Sequence, residues 1–155
     1  MHYEVWRLFT GPMFLPGVIS WFLAQIFKIF YYYRIHHSWN RGWLLMAGGM
    51  PSAHSALIMS TTVTAGMHAG FDSLLFGGLL AMTLIVMHDA AGVRQEAGNQ
   101  ARAINKLVEH FFVDRELNIN RLKELIGHRP IEVLAGAGLG IAVAVGYNLL
   151  WQSLA

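Results

Sequence analysis

The chain is 155 residues long, with 55% hydrophobic residues, 13% charged residues, a formal charge of +2 and no cysteine. Soluble domains carry about 25% charged residues, so half the usual charge is missing, and the small positive excess is too weak for a dedicated nucleic-acid binder. Without cysteine, disulfide frameworks, thiolate zinc sites and cysteine nucleophiles are excluded.

In chain order, four stretches lack Asp, Glu, Lys and Arg: Leu8–Phe27, Gly42–Phe71, Ser73–His88 and Val133–Ala155. A bilayer core about 30 Å thick takes about 20 apolar residues at helical rise. The runs therefore predict spanning helices over Pro12–Tyr33, Ser52–His68, Ser73–Ala91 and Pro130–Gln152. Met1–Thr10 contains Glu4 and Arg7 and no small-residue cleavage site follows, so the first helix is expected to be retained rather than removed as a signal peptide. Between the third and fourth spans, Gln95–Phe112 sets Ala97, Ala101, Ile104, Leu107, Val108 and Phe111 on one helical face. That segment is expected along the membrane interface or as a cap on the bundle. It lies within Arg94–Glu132, which holds 13 of the 20 charged residues and reads as mostly aqueous. The expected fold is all-α: one membrane-embedded domain over residues 1–155, an integral membrane helical bundle with about four transmembrane helices and an additional amphipathic cytoplasmic helix.

Four spans put the first loop and the charged segment on one side of the membrane. Arg34 and Arg41 lie in the former, and Arg94, Arg102, Lys106, Arg115, Arg121, Lys123 and Arg129 in the latter, against Arg7 on the opposite side. The positive-inside rule then assigns the basic side to the cytoplasm and both termini to the outside. A bacterial inner membrane, or an organelle of bacterial descent, suits this pattern.

The chemically unusual residues fall on that same side. Gln25 and Lys28 stand toward the cytoplasmic end of the first helix, Pro51-Ser52-Ala53-His54 opens the second, His88, Asp89 and Arg94 close the third, and His128, Arg129 and Glu132 open the fourth. Polar groups at membrane depth are costly and face a cavity or one another. Pro51 suits a first helical turn, and Gly48-Gly49 permits close backbone approach. The second helix would thus offer free N–H groups and its dipole to a phosphate, with His54 above the anion. Glu132, four residues beyond His128, is expected to accept an imidazole N–H and fix its tautomer; Glu124 stands equally far on the other side. Lys28 and Arg94 would supply charge to a transferring phosphoryl group.

Three ordered segments carry a family resemblance: Gly48-Gly49-Met50-Pro51-Ser52-Ala53-His54-Ser55, Asp89-Ala90-Ala91-Gly92-Val93-Arg94, and Gly127-His128-Arg129-Pro130-Ile131-Glu132-Val133-Leu134-Ala135-Gly136. Together they resemble the divergent branch of the phosphatidic acid phosphatase type 2 superfamily, whose members are often named acid phosphatase or vanadium-dependent haloperoxidase related proteins. The resemblance implies that His128 attacks phosphorus, Glu132 orients it, His54 protonates the leaving oxygen, and Lys28, Ser52 and Arg94 bind phosphate. It implies an integral-membrane phosphoric monoester hydrolase acting on a lipid phosphate; the cytoplasmic placement of the site favours phosphatidylglycerophosphate or phosphatidate, and with fixed Lys, Arg and helix N-termini to stabilise the phosphoryl charge no metal or other cofactor is expected. The wider superfamily usually folds around six helices, so a homodimer would complete a shorter chain.

The sequence departs from the wider family at Ala53, where Gly is usual, at Leu122, where the third motif has Arg, and at Ile35-His36, where the first has Arg-Pro. Competing readings stand beside the catalytic ones. Lys28 could snorkel to the interface, Arg94 could pair with Asp89 or Glu96, and Arg129 suits a headgroup anchor as well as a phosphate ligand. Asp89 and His88 are expected to form a buried hydrogen-bonded pair, ahead of a metal site or a proton relay. Phe27, Phe30, Tyr31, Tyr32, Tyr33, Trp39 and Trp43 form an interfacial belt or line a lipid path. Gly136/Gly140 and Gly66/Gly70 have the spacing of close helix contacts, internal or between subunits. Other functional classes are a non-catalytic anion-binding transporter or assembly factor, an isoprenyl diphosphate phosphatase, a metal-dependent phosphotransferase suggested by Asp89 and Arg94, and a haloperoxidase.

Overall fold

In a computed structural model of the chain, residues 11, 13–37, 49–112, 122 and 127–154 are described. The expectations placed on Pro12, Trp39, Arg41, Trp43, Gly48, Arg115, Arg121, Lys123 and Glu124 lie outside those residues. Five helices and no strand are found among the described residues: α1 Leu15–His36, α2 Ala53–Ala69, α3 Leu74–Ala91, α4 Val93–Phe112 and α5 Pro130–Leu154. Their ends follow local chemistry. Pro16 sits in the first turn of α1, and His37, left-handed at φ 49°, closes it by donating its N–H to the Tyr33 carbonyl at 3.0 Å. Ser52 caps α2 and Ser73 caps α3, each accepting from a backbone N–H three residues on. Pro51 therefore precedes the cap, two residues before the first helical residue Ala53 and outside the first turn expected for it.

Among the described residues, three stretches are long and apolar enough to cross a membrane: Leu15–Ile35, Leu74–His110, which runs from α3 into α4, and Pro130–Ser153. The remaining expected span, α2, is 17 residues long. It occupies the centre, packed against α5, α1 and α3, so its hydrogen-bonding residues meet protein rather than lipid.

Packing is the reverse of a soluble domain. The buried positions are small or hydroxylated, including Ala24, Ala56, Ala144, Ser55, Ser60 and Thr64, whereas Phe22, Phe30, Leu84, Ile85, Leu134 and Leu150 face outward. Large apolar side chains gain nothing by leaving lipid, so close approach of small residues and interhelical hydrogen bonds hold such a bundle together. The α2/α5 seam shows both. A Cβ on Gly136 would strike the Ser52 carbonyl, and one on Gly140 would lie 2.5 Å from the Ala56 carbonyl and 3.0 Å from the Ser60 nitrogen. The Gly136/Gly140 contact is thus internal. Farther along, the Asn148 amide donates to the Ala144 carbonyl at 2.7 Å and the Thr64 hydroxyl at 3.3 Å, while its oxygen meets His68 Nε2 at 2.6 Å. Since the Asn148 nitrogen donates twice, its oxygen is the acceptor and His68 Nε2 the donor. Thr62 and Thr83 join α2 to α3 at 2.7 Å.

The amphipathic helix α4 begins two residues earlier than expected, directly after Gly92, and packs chiefly against α3. Ile104 and Leu107 on its apolar face are exposed.

Candidate anion site at the convergent helix ends

Connectivity brings the end of α1, the start of α2, the end of α3 and the start of α5 together. Two backbone bonds tie them: the Ser52 N–H donates to the Glu132 carbonyl at 2.9 Å, and the His128 N–H to the Ala90 carbonyl at 3.1 Å. Gly127 lies so close to the backbone of Gln95 that a Cβ could not be accommodated. On the other flank Gly49, at φ +83°, packs on Lys28 and Tyr32, whose Cγ and Oη would stand 3.4 and 2.9 Å from a Cβ there. A left-handed turn at this close approach explains the glycine.

Two ionisable groups are buried in this cluster. Lys28 is 2% exposed and His128 3%. Lys28 therefore turns into the bundle and does not snorkel; among the described residues its ammonium has no hydrogen bond or ion pair, and Glu132 is the carboxylate whose charge acts on it. Both ring nitrogens of His128 are buried without a hydrogen-bond partner among the described residues. Burial, followed by the charges of Lys28, His54 and Arg94, lowers the His128 pKa to about 4. The imidazole is consequently neutral at pH 7, with an unprotonated nitrogen available for bonding.

His54, in the first turn of α2, is exposed. Ser52 is buried, and its hydroxyl accepts from the Ser55 N–H at 3.4 Å and the Ser55 hydroxyl at 3.1 Å. Its own N–H is taken by Glu132, so Ser52 organises the turn, and the Ala53 and His54 amides are left as the orphan donors of the α2 N-terminus. Gln25 lies on the Lys28 face of α1, three residues earlier and half-buried.

The expected Glu132–imidazole bond is not made. Glu132 Oε2 accepts the Arg129 N–H at 3.1 Å, the third residue of α5 reaching back to its N-cap. His128 stands before the helix, so the four-residue spacing does not bring the two side chains together as it would within a helix. Arg129 itself is exposed at the rim. Arg94 Nε donates to Asp89 Oδ2 at 2.9 Å, with 52% and 40% of the two side chains exposed. The buried His88–Asp89 pair is also absent: His88 is exposed and, with Leu84, Ile85, Asp89 and Val93, lines a surface groove, because it lies on the face of α3 turned away from α2. Tyr32, assigned from sequence to the aromatic belt, is half-buried against Gly49. Its position four residues after Lys28 places it on the same helical face.

No group of three or more His, Asp and Glu side chains suited to a metal ion occurs among the described residues. A neutral buried imidazole flanked by Lys28, Arg94, His54 and two amide donors has the composition of an oxyanion or phosphoryl site.

The profile of the Divergent PAP2 family matches residues 9–143. The chain is 34% identical over 150 residues, 90% of its own length and 95% of the relative's, to a protein of Bacillus subtilis (strain 168) called uncharacterized membrane protein YuiD. No solved structure matches the chain.

Proposed function

Taking as premise that the chain belongs to the Divergent PAP2 family, we propose that this membrane protein is a phosphatase that removes the phosphate of a lipid phosphomonoester through a phosphohistidine at His128. The observation that carries the reading is the buried His128 ring, unprotonated at neutral pH and without a partner on either nitrogen among the described residues.

In the first step a His128 nitrogen forms a bond to phosphorus as the phosphorus–oxygen ester bond breaks, and protonated His54 gives its proton to the departing alkoxide. In the second, His54 takes a proton from water, the water oxygen bonds to phosphorus, the nitrogen–phosphorus bond breaks, and inorganic phosphate leaves. Lys28, Arg94 and the Ala53 and His54 amides balance the charge on the peripheral oxygens. Glu132 caps α5 through the Arg129 N–H rather than orienting the nucleophile. The basic side carries the site, so a cytoplasmic-leaflet lipid such as phosphatidylglycerophosphate or phosphatidate is the preferred substrate.

The test is phosphate release by the detergent-purified chain and its His128→Ala variant, with EDTA present, on phosphatidylglycerophosphate, phosphatidate and undecaprenyl diphosphate. Release by the wild type alone supports the reading. Equal release by both removes His128 as nucleophile. A second reading, anion binding without turnover, draws on the missing Glu132–imidazole bond; vanadate binding with no release from any substrate would favour it.

A further inference from the structure

From sequence, Arg94 stands as either a phosphate ligand or the partner of Asp89. The geometry points to both at once: we propose that Asp89 is a positioning residue that grips Arg94 by Nε and thereby presents its two terminal amino groups to the phosphate held between His54 and His128. This rests on the site reading given above.

Three observations carry it. The contact is through Nε alone, at 2.9 Å. Arg94 and Asp89 have no other hydrogen-bond partner among the described residues, so four of the five guanidinium N–H donors are uncommitted. Arg94 lies four residues after Ala90, just past the Gly92 junction of α3 and α4, and the Ala90 carbonyl holds the His128 N–H at 3.1 Å. Its first-turn neighbour Gln95 touches Gly127. The 127–128 segment therefore runs alongside Arg94, and the arginine charge reaches both His54 and His128.

An ion pair as exposed as this one adds little to stability, which leaves its geometry as the useful property. A free arginine samples many rotamers and must be ordered when an anion binds. A side-on carboxylate removes much of that freedom in advance, while the terminal fork keeps the shape that matches two phosphate oxygens. Asp89 touches no substrate in this arrangement and acts through Arg94.

Steady-state hydrolysis of phosphatidate in detergent micelles, with inorganic phosphate as competitive inhibitor, would test the proposal on wild type, Asp89→Asn, Arg94→Ala and the double variant of the full chain. Asp89→Asn is expected to raise KM and the phosphate inhibition constant about tenfold, the equivalent of losing one charge-assisted contact, and to leave kcat within about twofold. Asp89→Ser, a second variant at this half-exposed position, should do the same. Adding Asp89→Asn to Arg94→Ala should change neither constant further. Unchanged KM in both Asp89 variants of an active enzyme, or effects that multiply in the double variant, would overturn the positioning role alone. A wild type that neither hydrolyses phosphatidate nor binds inorganic phosphate would overturn the site reading and this role together.

Discussion

Lys28→Met should make the protein more stable and less active at the same time. Lys28 lies eight residues before the end of α1, about 12 Å along the axis at 1.5 Å per residue, and is 2% exposed. Its ammonium is held there without a hydrogen bond or ion pair among the described residues. Replacing buried charges by apolar groups of similar volume is neutral or stabilising by about 1–4 kcal/mol, and methionine fits the slot left by a lysine stem. For a chain of this size each kcal/mol raises the melting temperature by about 2–4 °C. A preorganised ligand to the reacting group's oxygens is worth about 10²–10³ in turnover, so phosphate release should fall by that factor. Thermal unfolding and phosphate release, measured on wild type and variant in one detergent, check both halves. A variant that melts below wild type, or one that keeps full turnover, would refute the argument that Lys28 is retained for binding at a cost in stability.

The pH dependence has a defined sign. His128 is pushed down to about 4 in the folded protein against about 6.5 unfolded, so between those values the unfolded chain binds a proton that the folded chain refuses. Stability from this group is complete above pH 6.5 and declines as pH falls toward 4; melts from pH 7.5 to 4 should show that slope in wild type and not in His128→Gln, and the acid limb of kcat/KM should fall near 4. Glu132→Ala should lose about 1 kcal/mol with its capping bond, whereas Glu132→Gln, which keeps an acceptor for the Arg129 N–H, should stay near wild type. Chemical unfolding of the two variants checks this, and collapse of turnover in Glu132→Gln would return Glu132 to an orienting role.

The helices were legible because their signals are long. Four uncharged runs and one amphipathic segment place all five elements, with ends displaced by three residues or fewer. Which end of each span carries polar chemistry was equally plain, since topology alone brings those ends together. Side-chain pairing was not. The spacing of His128 and Glu132 assumes a helix that begins only at Pro130, and His88 beside Asp89 assumes a face of α3 that points outward. Tyr32 was hidden by its neighbours, because five aromatic residues near a helix end read as a belt until Gly49 singles out one of them. Such details depend on rotation about a helix axis and on loop paths, which apolar runs record only weakly.

The α2/α5 seam has a consequence for how the protein is made. Thr64 and Asn148 meet across 84 residues of sequence, and at about 5–20 residues per second of synthesis the earlier helix waits roughly 4–17 s for its partner. Throughout that interval the serines and threonines of α2 have only α1 and α3 beside them. A nascent chain stopped before α5 should therefore be held by the insertion machinery or removed by membrane proteases, and full-length protein alone should be released as a settled bundle.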